Sequence, residues 1–179
     1  FSGNTTTAGF DFKRFGGKAW NAYPNKADNV QLADVHLNNI AGYVNIQQNA
    51  LNNKLTMNAG IRLDHHEVNG SEWIPQVGLS FTPTVSTVLK AIVGKGYRNP
   101  TIREMYIFPP QNPDLKPERL LNYELSILQA LLNNKMKIEL NVYYIKGDNL
   151  IQVAMIDGKP LNVNTGKIEN KGMEVTAKY

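Results

Sequence analysis

The sequence contains no cysteine. That excludes disulfides, thiolate catalysis and cysteine-based metal sites. Long apolar runs are missing too: no stretch approaches the roughly 18 residues that a membrane-crossing helix needs, and mean hydropathy is negative. Charge of one sign is never blocked together. The 19 lysines and arginines and 15 aspartates and glutamates are scattered, and the formal net charge of +4 offers no footprint for nucleic acid. There is no Gly-x-Ser-x-Gly, no phosphate loop and no paired-carboxylate motif, and Gly94-Lys95-Gly96 is too short for a nucleotide signature. No charged, then apolar, then small-residue leader opens the chain. It starts at Phe1 in the middle of a pattern, so a piece of something longer is expected. Its 179 residues suffice for one ordinary domain.

What the chain does have is period-two alternation, the mark of half-buried strands. In residues 6–15, Phe10 and Phe12 oppose Asp11 and Lys13, and Gly16-Gly17 is expected to stop the strand. Residues 17–36 follow neither strand nor helix period and predict a long loop with a short helical turn near 31–35. A strand is expected over 39–48. Residues 55–66 alternate most cleanly, with Leu55, Met57, Ala59, Ile61 and Leu63 on one face. Twelve such residues span about 40 Å, long for a soluble sheet. Further strands are expected over 76–82, 87–97, 122–127, 136–156 with an irregularity at Gly147-Asp148, and up to Tyr179 after an Asp157-Gly158 hairpin. This makes about eight.

Tight turns at 51–54, 83–86 and 133–135 alternate with longer connections at 16–38, 67–73, 98–120 and around 157. Short turns at one end and long loops at the other suit an all-β, antiparallel up-and-down segment of a large transmembrane barrel. Its outer face must be apolar and its lumen wet. Arg62, Asp64, Glu124, Glu139 and Glu174 would then face inward. A soluble β-sandwich alternates as well, and a glycan-binding sandwich using Trp20, Trp73 and nearby tyrosines is the rival reading. A membrane enzyme built on Asp64 and His66, two residues apart on one face, is a third. His65 points the other way, His36 falls in the expected loop, and zinc needs at least three ligands, so no metal or catalytic site is expected.

Residues 94–118, GKGYRNPTIREMYIFPPQNPDLKPE, hold five prolines and cannot form a central strand. A loop of this length is usually functional or disordered, with one helical turn expected over 101–106 before Pro109 and Pro110. Tyr97-Arg98-Asn99-Pro100-Thr101, then Glu104 and Tyr106, then Asn112-Pro113-Asp114-Leu115-Lys116-Pro117-Glu118 and Asn122-Tyr123-Glu124-Leu125 stand in this order. Around them lie Gly60-Ile61-Arg62-Leu63-Asp64, Pro75 to Phe81, Asn164-Thr165-Gly166 and Asn170-Lys171-Gly172-Met173-Glu174. Together these resemble the barrel of TonB-dependent outer-membrane receptors, with tyrosine in place of the more usual phenylalanine at 97 and asparagine in place of alanine at 99.

The resemblance implies an outer-membrane receptor of a Gram-negative bacterium that captures a siderophore, cobalamin, another metal complex or an oligosaccharide and imports it with TonB-supplied energy. Residues 1–179 would be part of the barrel, without its plug domain and final strands. Its partners would be outer-membrane lipid, the TonB complex through the plug, and a small nutrient ligand; no cofactor and no nucleic acid are implied. The open sheet edges of a segment alone would invite self-association. Pro100, Thr101, Glu104, Asn112, Pro113, Leu115, Pro117, Glu118 and Glu174 would be structural motif positions. Haem receptors of the family carry a histidine between the two motif boxes, and residues 101–111 have none. Tyr97, Arg98, Arg103, Tyr106 and Phe108, with Trp20 and Tyr23, are the expected ligand-facing residues, since aromatics take flat or apolar ligands and arginine takes carboxylates or phosphates. A competing role for Arg98 is to pin the loop to the wall through Glu104 or Glu118. For Trp20, Tyr23 and Trp73 the competing role is an interfacial aromatic belt.

Overall fold

A computed structural model describes residues 3–25 and 29–179. They form one eight-stranded antiparallel sheet in which every strand pairs with its sequence neighbours: β1 (Asn4–Asn21), β2 (Val30–Ala50), β3 (Leu55–His66), β4 (Gly70–Thr84), β5 (Thr87–Arg98), β6 (Glu118–Leu131), β7 (Met136–Ile156) and β8 (Lys159–Lys178). A short π-helical segment, Arg103–Ile107, lies in the β5–β6 connection. The single sheet leaves no facing layer, so the β-sandwich reading is set aside.

Register explains why a one-layer wall holds together. Met57, Leu79, Ala91, Leu125, Val142 and Met173 align in one row across six strands. The adjacent row, Thr56, Ser80, Lys90, Ser126, Asn141 and Glu174, turns to the other face. The apolar row is not covered by other parts of the chain: Leu125 is 58% and Met173 67% exposed. Such a surface is incompatible with water on both sides and matches a wall with lipid outside and a wet lumen inside. Arg62, Asp64, Glu124, Glu139 and Glu174 share the polar face by the same register.

Several boundaries differ from expectation for identifiable reasons. Gly16-Gly17 does not end β1, which runs on to Asn21 opposite β2. A Cβ at Gly16 would collide with the Val35 carbonyl and His36 Cα, and its φ is +154°. Glycine here allows close approach within a ladder rather than a stop. Residues 17–21 and 30–36 are therefore strand and not loop, and no helical turn forms near 31–35; residues 26–28 of that stretch lie outside the described residues. Trp20 belongs to β1, and Trp73 to β4, which begins at Gly70 and reduces the expected loop at 67–73 to a tight turn. The irregularity near Gly147 is present as a register shift between Gly147 and Leu150.

Glycine elsewhere makes room for aromatic rings. Gly9 lies directly opposite Tyr43 and Gly172 opposite Tyr143, and in both pairs a Cβ would fall on the phenol ring. The tyrosine lies across the bare backbone and supplies the packing that glycine lacks.

Gly16→Val should loosen the outer half of the β1–β2 ladder by about 1–3 kcal/mol. This is expected as faster protease cutting of the β1–β2 hairpin while the rest of the sheet stays protected.

Candidate functional site

The β5–β6 connection, residues 99–117, does not project away from the wall. Met105 is fully buried and Leu115 is 2% exposed; both pack with Leu37 of β2, and Val35, Ile102, Tyr106 and Ile151 of β7 complete the cluster. β2 and β7 are far apart in the strand order, so the loop crosses the concave side of the curved sheet and fastens both flanks to one small apolar core.

Its start is a reciprocal cap. The Thr101 hydroxyl accepts from the Glu104 N–H at 3.2 Å, and the Glu104 carboxylate accepts from the Thr101 N–H at 2.7 Å. This Thr-x-x-Glu arrangement is a capping box, which the plain helical-turn expectation did not name. Arg98, the last residue of β5, donates from Nη1 to Glu104 at 2.9 Å and from Nε to Glu118 at 2.7 Å. Glu118 is its cross-strand partner on β6, and its second oxygen accepts from the Ile151 N–H of β7 at 2.8 Å. One guanidinium thereby closes the loop stem and holds the helical turn, which is the pinning role. Glu104 lies outside the strands. Burial alone would raise its carboxyl, but the bonds from Arg98 and Thr101 outweigh this and hold it below the ordinary carboxylate range.

Amides fasten the rest. Asn112 donates to the Asn162 carbonyl at 2.8 Å, and Asn162 to that of Glu104 at 3.1 Å. Asn164 of β8 exchanges two bonds with the Lys116 backbone, at 2.7 and 2.8 Å. Asn69 of the β3–β4 turn donates to the Leu115 carbonyl, and Gln111 to that of Leu32 on β2. Leu37, Asn69 and Asn162 were not singled out from sequence. The only signal for Asn162 is its spacing from Asn164, two lumen-facing amides on one strand.

The expected ligand-facing residues separate. Arg98 is committed to its two carboxylates. Tyr97 stands beside the Asp64 carboxylate of β3, and Tyr106 packs on the buried cluster. Arg103 and Phe108 remain at an open cavity of about 190 Å³, together with Asn21, Leu32, Ile107 and Pro109. Arg103 is exposed, whereas Arg62, Arg98 and Arg119 are each in ion pairs. Trp20 and Tyr23 are half-exposed, on β1 and in the connection after it. Asp64 and His66 share a face and are both buried, but His36 is on β2 by the outward-facing Asp34, 4.0 Å away. No cluster of three metal-ligating side chains occurs among the described residues.

The family model described as "TonB dependent receptor-like, beta-barrel" matches residues 1–179. The chain belongs to the TonB-dependent receptors. The vitamin B12 transporter BtuB of Vibrio vulnificus is 27% identical over 179 residues, covering 98% of this chain and 27% of that protein. The probable TonB-dependent siderophore receptor PirA of Acinetobacter baumannii is 28% identical over 135 residues, 62% of this chain and 18% of that protein. A point mutant of the ferric enterobactin receptor PfeA from Pseudomonas aeruginosa superposes with a TM-score of 0.76 at 19% identity, over 97% of this chain and 30% of its own. The chain thus spans about a quarter of the length of these relatives, and the strand meander is part of their barrel wall.

Met105→Ala in the full-length receptor should destabilise the loop seat by about 2–5 kcal/mol, seen as rapid proteolysis within residues 99–117 while the folded barrel persists. The Glu104 carboxyl is depressed in the folded state, so its contribution is fully present above its ordinary value of about 4.3. It is lost as pH falls through the lower folded value. Loop protection is therefore expected to be equal at pH 7 and pH 5 and to fall only below about pH 4.

Proposed function

We propose that the chain is a wall segment of an outer-membrane receptor that binds a scarce nutrient and imports it with energy from the TonB complex, reached through a plug domain. The observation that carries this reading is the family match along the whole chain. The uncovered apolar face is its physical counterpart. Transport of this kind is binding and gated passage, with no covalent step. Relatives are named for vitamin B12 and for siderophores, and both are ligand classes proposed for this chain. Contact with the ligand falls to Arg103, Phe108 and Tyr23, whose side chains border open space, while Arg98, Tyr97 and Tyr106 hold the wall and loop. Lipid covers the apolar face, and β1 and β8, as the two edges of this sheet, pair with further strands or with a second copy when this segment is alone.

Cells depending on the full-length receptor are expected to accumulate a ferric siderophore or cobalamin only while the inner-membrane energy supply is intact. Arg103→Ala combined with Phe108→Ala should weaken binding about tenfold, near 1.4 kcal/mol, leaving insertion unchanged. A receptor extracted from membranes without detergent would contradict the reading.

A further inference from the structure

Between β4 and β5 the wall changes the way it is held. From the turn at 85–86 to the Gln76–Gly94 pair the strands form an antiparallel ladder, interrupted only beside Pro83. Beyond that pair their backbone pairing stops. β4 nevertheless continues along β3 to Gly70, and β5 along β6 to Arg98. Pro75 stands at the break and has no N–H to offer, while Gly94 and Gly96 remove side chains that would stiffen β5.

Side chains occupy the split. Glu72 of β4, 5% exposed, accepts from Lys95 Nζ of β5 at 2.7 Å and from Arg119 Nε of β6 at 2.8 Å, with Arg119 Nη2 on the same oxygen. Tyr97 stands next to Asp64, whose Oδ2 takes Arg62 at 3.0 Å. Their sidedness is informative. Alternation with Val93 and Tyr123 would send Lys95, Tyr97 and Arg119 outward, whereas alternation with Arg62 and Gln76 puts Asp64 and Glu72 on the lumen side. Above Gly94, β5 is therefore rotated against β4, so that residues of its outward face reach into the split.

We infer that this split is a joint in the receptor wall, where β4 and β5 part above Gln76 and Gly94 and where the charge of Glu72, instead of a backbone ladder, keeps them closed. A ladder is indifferent to side-chain ionisation. A buried carboxylate shared by two cations is not, because removing its charge leaves both cations with nothing to hold. Between the other neighbouring strands the ladder runs to the end of the shorter strand or within one residue of it, apart from local register shifts at Ala19/Trp20 and from Gly147 to Ile151.

Hydrogen exchange of the full-length receptor in detergent, read by mass spectrometry, tests the joint. In Glu72→Gln, amides of residues 70–74 and 95–98 should exchange at least tenfold faster than in the wild type, while residues 77–81 and 89–93 of the same strands keep wild-type rates. Should Glu72→Gln fail to fold, Arg119→Gln removes one cation from a half-exposed position and is expected to show the same local pattern more weakly. Unchanged exchange at 70–74 and 95–98, or acceleration spread evenly along both strands, would overturn the inference.

Discussion

The Arg98 guanidinium, gripped by Glu104 and Glu118, is the interaction on which the lumen side depends. Glu118 is at the foot of β6, Glu104 is in the helical turn, and Ile151 of β7 donates to the free oxygen of Glu118. Exposed ion pairs are worth little singly. This one is bidentate on one side, backed by backbone donors, and joined to an apolar cluster that water does not reach. The 19 residues between β5 and β6 are thus anchored at the stem, at the turn and across the concave face. They act as an internal brace, with Arg103 and residues 109–111 among those left exposed.

A brace of this kind answers a mechanical need. A one-layer sheet has no second layer to fix its curvature, and its apolar side is left uncovered by the rest of the chain. Curvature has to be set from the lumen side. Packing Met105 and Leu115 on Leu37, with Ile151 alongside, ties strands near opposite flanks to one point. The asparagines at 69, 112, 162 and 164 supply the loop backbone with partners that a ladder would otherwise provide.

The strand count, the apolar face and the loop were legible in the residues because alternation with a period of two survives in one strand read alone. The Tyr-Arg-Asn-Pro-Thr and Asn-Pro-Asp-Leu-Lys-Pro-Glu segments were legible for the same reason, being local. What escaped depended on a neighbouring strand. Gly16 reads as a breaker until β2 is seen lying against it, and Pro75, just before the strand expected over 76–82, gives no sign of the break until the β4–β5 ladder is seen to end there. Tyr97 had the chemistry of a ligand residue, and nothing nearby in sequence marked Asp64 as its partner, whereas the pinning of Arg98 by Glu104 and Glu118 was legible beside its ligand-facing reading. Leu37 and Asn162 carried no sign of their role, because the loop they hold lies dozens of residues away in the chain.

The tyrosines lying over Gly9 and Gly172 have a consequence for how such a wall can change over time. Each ring and the hydrogen beneath it are two halves of one fitted volume, on strands that touch. A larger residue at 9 is admissible only where 43 shrinks, and the same bond of sizes links 172 with 143. Descendants of this barrel should therefore alter these sites as couples or leave them alone.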